Sequence, residues 1–285
     1  MYRDEVKKIM SNNEILPEQK FGQNFLCDEN IIEDIIDCSG ITEDSCVLEI
    51  GPGIGALTHR IQEITTDYTA VEIDKRLADF LRREIIISDD VKIIDSDFLD
   101  LNYEQYKRSR PYDYIVSNIP YYVMTPIMKK LITDNPSCKR MTFMVENAAV
   151  NRIIAKEGNK NYGPLAVLCS NYGDVKKEFD VFADSFIPRP HTLSSVITVT
   201  GNVNRSDSFV NRTDLYLQFL DAAFSLRRKT MMNCLSNFLK THNASTPVFI
   251  GDLATVLDDM NIPLNVRTEA LTPEQIHSIF LKLLV

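Results

Sequence analysis

Apolar residues recur along this chain in two rhythms. Short, nearly continuous apolar runs stand at 46–50 (CVLEI), 68–73 (YTAVEI), 91–95 (VKIID), 112–117 (YDYIVS) and 141–145 (MTFMV). Between the first two, Leu57, Ile61 and Ile64 fall at i, i+4 and i+7, the spacing of one helix face. Ahead of them, 28–39 predicts a short helix. Asp28 is its N-cap, Ile31, Ile32, Ile35 and Ile36 form its face, and Gly40 ends it. Runs of this kind alternating with amphipathic stretches predict βαβ units and a mostly parallel sheet covered on both faces. Two later runs, 175–182 and 194–200, predict a closing antiparallel pair. The polar, turn-rich segment 201–208 marks a boundary, giving an α/β domain over 1–202 and a small all-helical domain over 203–285. The longest helix of the second domain is expected over 214–240.

Composition narrows the picture only slightly. The chain has 285 residues, enough for one large domain or a large and a small one, and its 44% hydrophobic and 25% charged content is ordinary for a soluble globular protein, expected in the cytoplasm. No apolar run approaches a membrane span, and the charged N-terminus has no signal-peptide core. The six cysteines form no CxxC pair and read as reduced and structural. His59, His191, His242 and His277 lack paired ligand spacing, so no metal is expected. The net charge of -9 argues against a nucleic-acid partner until its distribution is considered. Residues 203–285 carry eight of the 31 basic and eight of the 40 acidic residues, so the first 202 hold the whole excess. Basic residues also cluster at 107–110 (KRSR) and 227–229 (RRK), and a phosphate backbone needs a local patch, not a basic total.

Candidate chemistry begins at the first strand's end. Gly51-Pro52-Gly53-Ile54-Gly55 leads into a helix, where small residues allow close approach of a ligand and the helix start adds donors. Alone this is equally a tight βα turn. Glu72 closes the next strand, 21 residues after Gly51, where a carboxylate can accept from both hydroxyls of a ribose. Asp97 follows the third strand, where it can accept from an adenine amino group. Successive strand ends carrying a glycine turn, Glu72 and Asp97 define the carboxyl edge of a parallel sheet, the usual ligand edge. A nicotinamide dehydrogenase shares these features, since its fingerprint tolerates Ala56 at the sixth loop position.

The segment after the fourth strand decides between them. The N6 lone pair of an adenine is delocalised into the ring, so the amine is a poor nucleophile for methylation. Two acceptors holding its hydrogens favour a tetrahedral nitrogen and stabilise the developing positive charge. The Asn118 side-chain oxygen is one acceptor, and the Ile119 carbonyl, aimed by Pro120, the second. Tyr121 offers an aromatic face for an extruded base. A proline turn with a core tyrosine is the plain alternative.

The sequence Asn118-Ile119-Pro120-Tyr121 resembles the (D/N/S)PP(Y/F)-type motif of amino-methylating enzymes, in the form found in rRNA adenine-N6 dimethyltransferases. Segments FGQNFL (21–26), LEIGPGIGALT (48–58), FIPRPHTLSSV (186–196), FSLRRKTMMNCL (224–235) and VRTEALTPEQ (266–275) resemble the same family, best its small-subunit members. The resemblance implies a Rossmann-like class I S-adenosylmethionine-dependent methyltransferase with an added helical RNA-recognition domain. It also implies dimethylation of two adjacent adenosines near the 3′ end of 16S rRNA, on a 30S assembly particle and by a monomer. It places Asn24, Leu26, Gly51, Gly53, Glu72, Asp97 and Asn118 at the cofactor, and Arg227, Arg228 and Lys229 at RNA. One departure is VENAAVNRI (145–153), where the family commonly has a Lys-Glu pair. A 23S rRNA adenine dimethylase and a noncatalytic assembly factor on this fold are the alternatives.

Overall fold

Every apolar run named above becomes a strand. The computed structural model describes residues 2–118, 121–202, 212–241 and 253–283. Its strands are β1 (Phe25–Leu26), β2 (Val47–Ile50), β3 (Tyr68–Glu72), β4 (Lys92–Asp95), β5 (Tyr114–Asn118), β6 (Arg140–Glu146), β7 (Gly173–Val181), β8 (Phe186–Ile187) and β9 (Ser194–Gly201). Seven of them form one sheet in the order β4-β3-β2-β5-β6-β9-β7. From β4 through β6 all pairings are parallel, and β9 returns antiparallel to β6. The order reverses between β2 and β5, which opens a crevice at the carboxyl edge there. β1 and β8 form a separate two-stranded antiparallel ladder, Phe25 opposite Ile187 and Leu26 opposite Phe186.

All residues of β2 and β3 are buried, which requires cover on both faces of the sheet. On one face, helices Glu29–Ser39 and Ala56–Ile64 set Ile32, Ile35, Leu57 and Ile61 against Val47 and Ala70. The first ends as its sequence suggests, at Gly40 in the left-handed region with φ 75°. Its N-cap Asp28 turns its carboxylate elsewhere, accepting from Ser185 Oγ at 2.9 Å. Helix Ala56–Ile64 starts behind Gly55, φ 85°, where a Cβ would stand 3.0 Å from the side chains of Leu81 and Ile85. Only glycine satisfies both the dihedral and the space.

The chain groups into two compact units, Met1–Val150 with Asp174–Val203, and Asn151–Gly173 with Asn204–Val285. The sequence boundary at 202/203 follows chain order and therefore keeps 151–173 with the first unit. In the structure those residues bond to the C-terminal ones. Gly158 N donates to Glu269 O at 2.8 Å, and Tyr162 Oη to Leu271 O at 2.9 Å. Asn171 Nδ2 donates to Tyr216 Oη at 2.6 Å. Helix Pro164–Tyr172 buries Leu165 through Cys169 without a break, so it needs partners all round.

The single helix expected over 214–240 is two, Thr213–Ala223 and Met231–Thr241. Side chains cap the break. Ser225 Oγ donates to Ala222 O at 2.7 Å, and Thr268 Oγ1 to Ala223 O at 2.6 Å, which satisfies carbonyls that a continuing helix would have used. Arg227, Arg228 and Lys229 therefore lie on a turn, and all three are exposed.

Candidate active site

The crevice at the β2/β5 reversal contains a cavity of about 360 Å³, lined by the glycine turn, Asn24, Leu26, Glu72, Asp97 and Asn118 among others. This volume lies within the usual range of small-molecule sites. The strand register explains why these residues meet. Ile50 pairs with Val71 and with Ser117, so Gly51, Glu72 and Asn118 all emerge at one edge. Gly51 N donates to Val71 O at 2.9 Å, and Gly53 N to Glu72 Oε2 at 2.9 Å. Gly53 has φ 61°, a conformation L side chains rarely adopt, and a Cβ there would press on the Phe25 ring at 3.3 Å.

Glu72 is 3% exposed, and its Oε1 accepts from Asp74 N at 2.9 Å. Burial pushes its carboxyl up to about 7, opposed by the amides of Asp74 and Gly53. Two backbone donors fix the carboxylate plane, and a carboxylate has lone pairs left for further donors. Asp97 caps the short turn that follows it, Oδ1 accepting from Leu99 N at 2.8 Å, and its carboxylate reaches the same cavity.

Asn118 ends β5. Its Nδ2 donates to the backbone carbonyl of Asn24 at 3.3 Å. Since a carbonyl only accepts, the amide must turn its NH₂ that way. Among the described residues nothing donates to Oδ1, so the acceptor end of the amide is the one left for a ligand. Ile119 and Pro120, expected to supply the second acceptor and its brace, lie outside the described residues, as does the side chain of Tyr121. The backbone of Tyr121 begins helix Tyr121–Asp134.

Two features of the site escape sequence reading. Glu49, in the middle of β2, is 2% exposed and lies at the cavity floor. Its Oε2 accepts from Thr58 Oγ1 at 2.8 Å and also from Tyr68 Oη, and Tyr68 Oη lies 3.3 Å from Thr58 Oγ1. Burial raises this carboxyl to about 7 against the pull of both hydroxyls. An acid inside the apolar run VLEI was the available signal. The second feature is a cluster of Gln23, Glu18, Asp74 and Arg76, for which single residues in separate loops gave no pattern.

The basic run at 107–110 is already spent within the fold. Lys107 pairs with Glu104 at 2.5 Å, while Arg108 and Arg110 share Asp67 at 2.9 and 3.0 Å. Arg110 also reaches Asp113 at 2.7 Å. Charges neutralised in this way make a poor phosphate patch. No helix among the described residues is long and apolar enough to cross a membrane.

Comparison with known proteins adds to this geometry. A family model described as ribosomal RNA adenine dimethylase matches residues 17–281. A ribosomal RNA small subunit methyltransferase A from Natranaerobius thermophilus is 32% identical, over 97% of this chain and 94% of that one. One from Chlorobium phaeobacteroides is 35% identical over 98% of each. A crystal structure of a dimethyladenosine transferase from Plasmodium falciparum has a TM-score of 0.74 at 23% identity, covering 90% of this chain and 96% of that one, a likeness of fold.

Proposed function

The chain belongs to the ribosomal RNA adenine dimethylase family, and from that premise we propose that it methylates N6 of two adjacent adenosines near the 3′ end of 16S rRNA, using S-adenosylmethionine. The substrate is the rRNA of a 30S assembly particle, and the work is done in the cytoplasm. The observation that carries this reading is the pose of Asn118. Its donor end is held by the Asn24 carbonyl, nothing among the described residues donates to its acceptor end, and Asn118 lines the cavity that Glu72 and Asp97 also line.

The residues present fit the cofactor. Glu72, fixed by two amides, accepts from the ribose hydroxyls, and Asp97 accepts from the adenine amino group. Gly51 and Gly53 let backbone approach, while Asn24 and Leu26 form the wall contributed by the N-terminal segment. When bound, S-adenosylmethionine supplies an electrophilic methyl group. The protein's task is then electrostatic. Asn118 Oδ1 accepts a hydrogen of the target amine, drawing the lone pair out of conjugation and stabilising the positive charge that develops on nitrogen. The proton leaves after the new C–N bond forms, so no general base need act first. The Ile119 carbonyl as second acceptor, Pro120 as its brace and Tyr121 as a stacking face complete the proposal.

The second unit presents Arg227, Arg228 and Lys229 together on an exposed turn, which suits recognition of phosphates in a folded RNA more than reading of bases. Labelled S-adenosylmethionine offered with undermethylated 30S particles or with naked 23S rRNA tests the whole reading. Label should enter two neighbouring 16S adenosines. Label in 23S rRNA instead, or in neither RNA, overturns it.

The Glu72 assignment has its own test. Ribose hydroxyls bind the carboxylate and not the acid, so protonation competes with the cofactor. Because burial holds Glu72 up to about 7, cofactor affinity should fall as pH drops through that value. Glu72→Gln should weaken binding roughly tenfold to a hundredfold, the scale of charge-assisted hydrogen bonds, and flatten the pH dependence. Calorimetric titration from about pH 5.5 to pH 8 measures both. A variant that tracks the wild type would remove Glu72 from the ribose.

A further inference from the structure

The segment that supplies Asn24 is held in an unusual way. From residue 16 to residue 24 no residue is buried, so apolar packing does little to fix this stretch. Hydrogen bonds hold it instead, and they converge on Gln23. Glu18 N donates to Gln23 Oε1 at 2.8 Å, closing the loop on itself. Gln23 Nε2 donates to Asp74 Oδ2 at 3.0 Å, tying that loop to the turn after β3. Arg76 completes a ring, meeting Asp74 at 2.7 Å and Glu18 at 2.5 Å. Asp74 is 4% exposed, and its own N–H is bonded to Glu72, so one end of the latch is anchored in the cofactor wall. One residue beyond Gln23, the Asn24 carbonyl receives Asn118 Nδ2.

We propose that Gln23 is a positioning residue for methyl transfer, holding the Asn24 carbonyl where it turns the Asn118 amide with its oxygen toward the target amine. The inference rests on Asn118 being the acceptor of the amine. A continuous path links Gly53, Glu72, Asp74, Gln23, Asn24 and Asn118, each step a hydrogen bond or a short covalent stretch. Gln23 is the single side chain in this path that uses both its donor and its acceptor, which is why an amide suits the position. A carboxylate there would face Asp74 with like charge, and a shorter side chain could not span both partners.

The test combines a spectrum with kinetics. In the wild type, the Asn118 side-chain NH₂ should give a distinct resonance, assigned by its disappearance in Asn118→Ala. In Gln23→Ala that resonance should shift toward the position of a free amide, and kcat should fall about tenfold, the scale of one lost hydrogen bond. Binding of S-adenosylhomocysteine, measured by calorimetry, should change less than kcat does. Gln23→Glu should behave like Gln23→Ala. An unmoved Asn118 resonance in Gln23→Ala, or a kcat that falls no more than the affinity for S-adenosylhomocysteine, overturns the proposal. The resonance is read without RNA. A wild-type enzyme inactive on 30S particles would therefore defeat the proposed function, while the position of the Asn118 signal would still decide the role of Gln23 in orienting that amide.

Discussion

Asn118→Ala lowers turnover about 10²–10³-fold, the usual scale for one preorganised group facing charge that develops in a transition state. Affinity for S-adenosylmethionine changes little, because the contacts proposed for Glu72 and Asp97 do not involve the amide that is removed. The two statements together separate a catalytic group from a structural one. Removing the amide deletes the acceptor Oδ1 and the donor that meets Asn24 O at 3.3 Å. The second loss leaves a carbonyl that water can satisfy, so the fold should survive. Single-turnover methylation, with cofactor binding measured in parallel, gives both numbers. Methylation at the wild-type rate would end the assignment.

Glu49→Gln changes how stability depends on pH. The native carboxyl is held up to about 7 by burial, against an ordinary value of 4.5. Below 4.5 the folded and unfolded chains both carry the proton, and the contribution is complete. Between 4.5 and 7 the unfolded chain releases it while the folded one retains it, so stability is lost as pH rises through that window. Above 7 the loss from this group reaches about 3 kcal/mol. Glutamine does not titrate, so the variant should gain on the wild type by up to about that amount between pH 4.5 and about pH 8. Urea unfolding at both pH values tests it. Curves that stay parallel would mean that Glu49 is ionised in the native state throughout. Glu72 titrates in the same range and its charge helps raise the Glu49 carboxyl, so the difference between the two proteins includes that coupling.

What the sequence made legible was whatever rests on repetition. Each of the seven strands of the sheet shows itself by its apolar run, and the runs fix where the glycine turn, Glu72, Asp97 and Asn118 must emerge. The two-residue strands β1 and β8 are too short for any period to register. The split at 224–230 turns on Ser225 and Thr268 taking the role of cap, and Thr268 lies 45 positions from the Ala223 carbonyl it meets. The latch at Gln23 joins residue 23 to residue 74, 51 positions apart, through one hydrogen bond. Glu49 was visible as a letter but not as a network, because its partners Thr58 and Tyr68 look ordinary until β2, β3 and the helix between them are packed.

The two compact units are threaded, not strung. The backbone passes between them after residues 150, 173 and 203. A single scission at 202 would therefore release the C-terminal stretch and leave helix Pro164–Tyr172 behind, its residues Leu165 through Cys169 stripped of their partners. The second unit is not a detachable cassette. Moving it into another chain, or exchanging it between relatives, means transplanting 151–173 along with 204–285, so the unit of modular exchange here is two pieces of gene and not one.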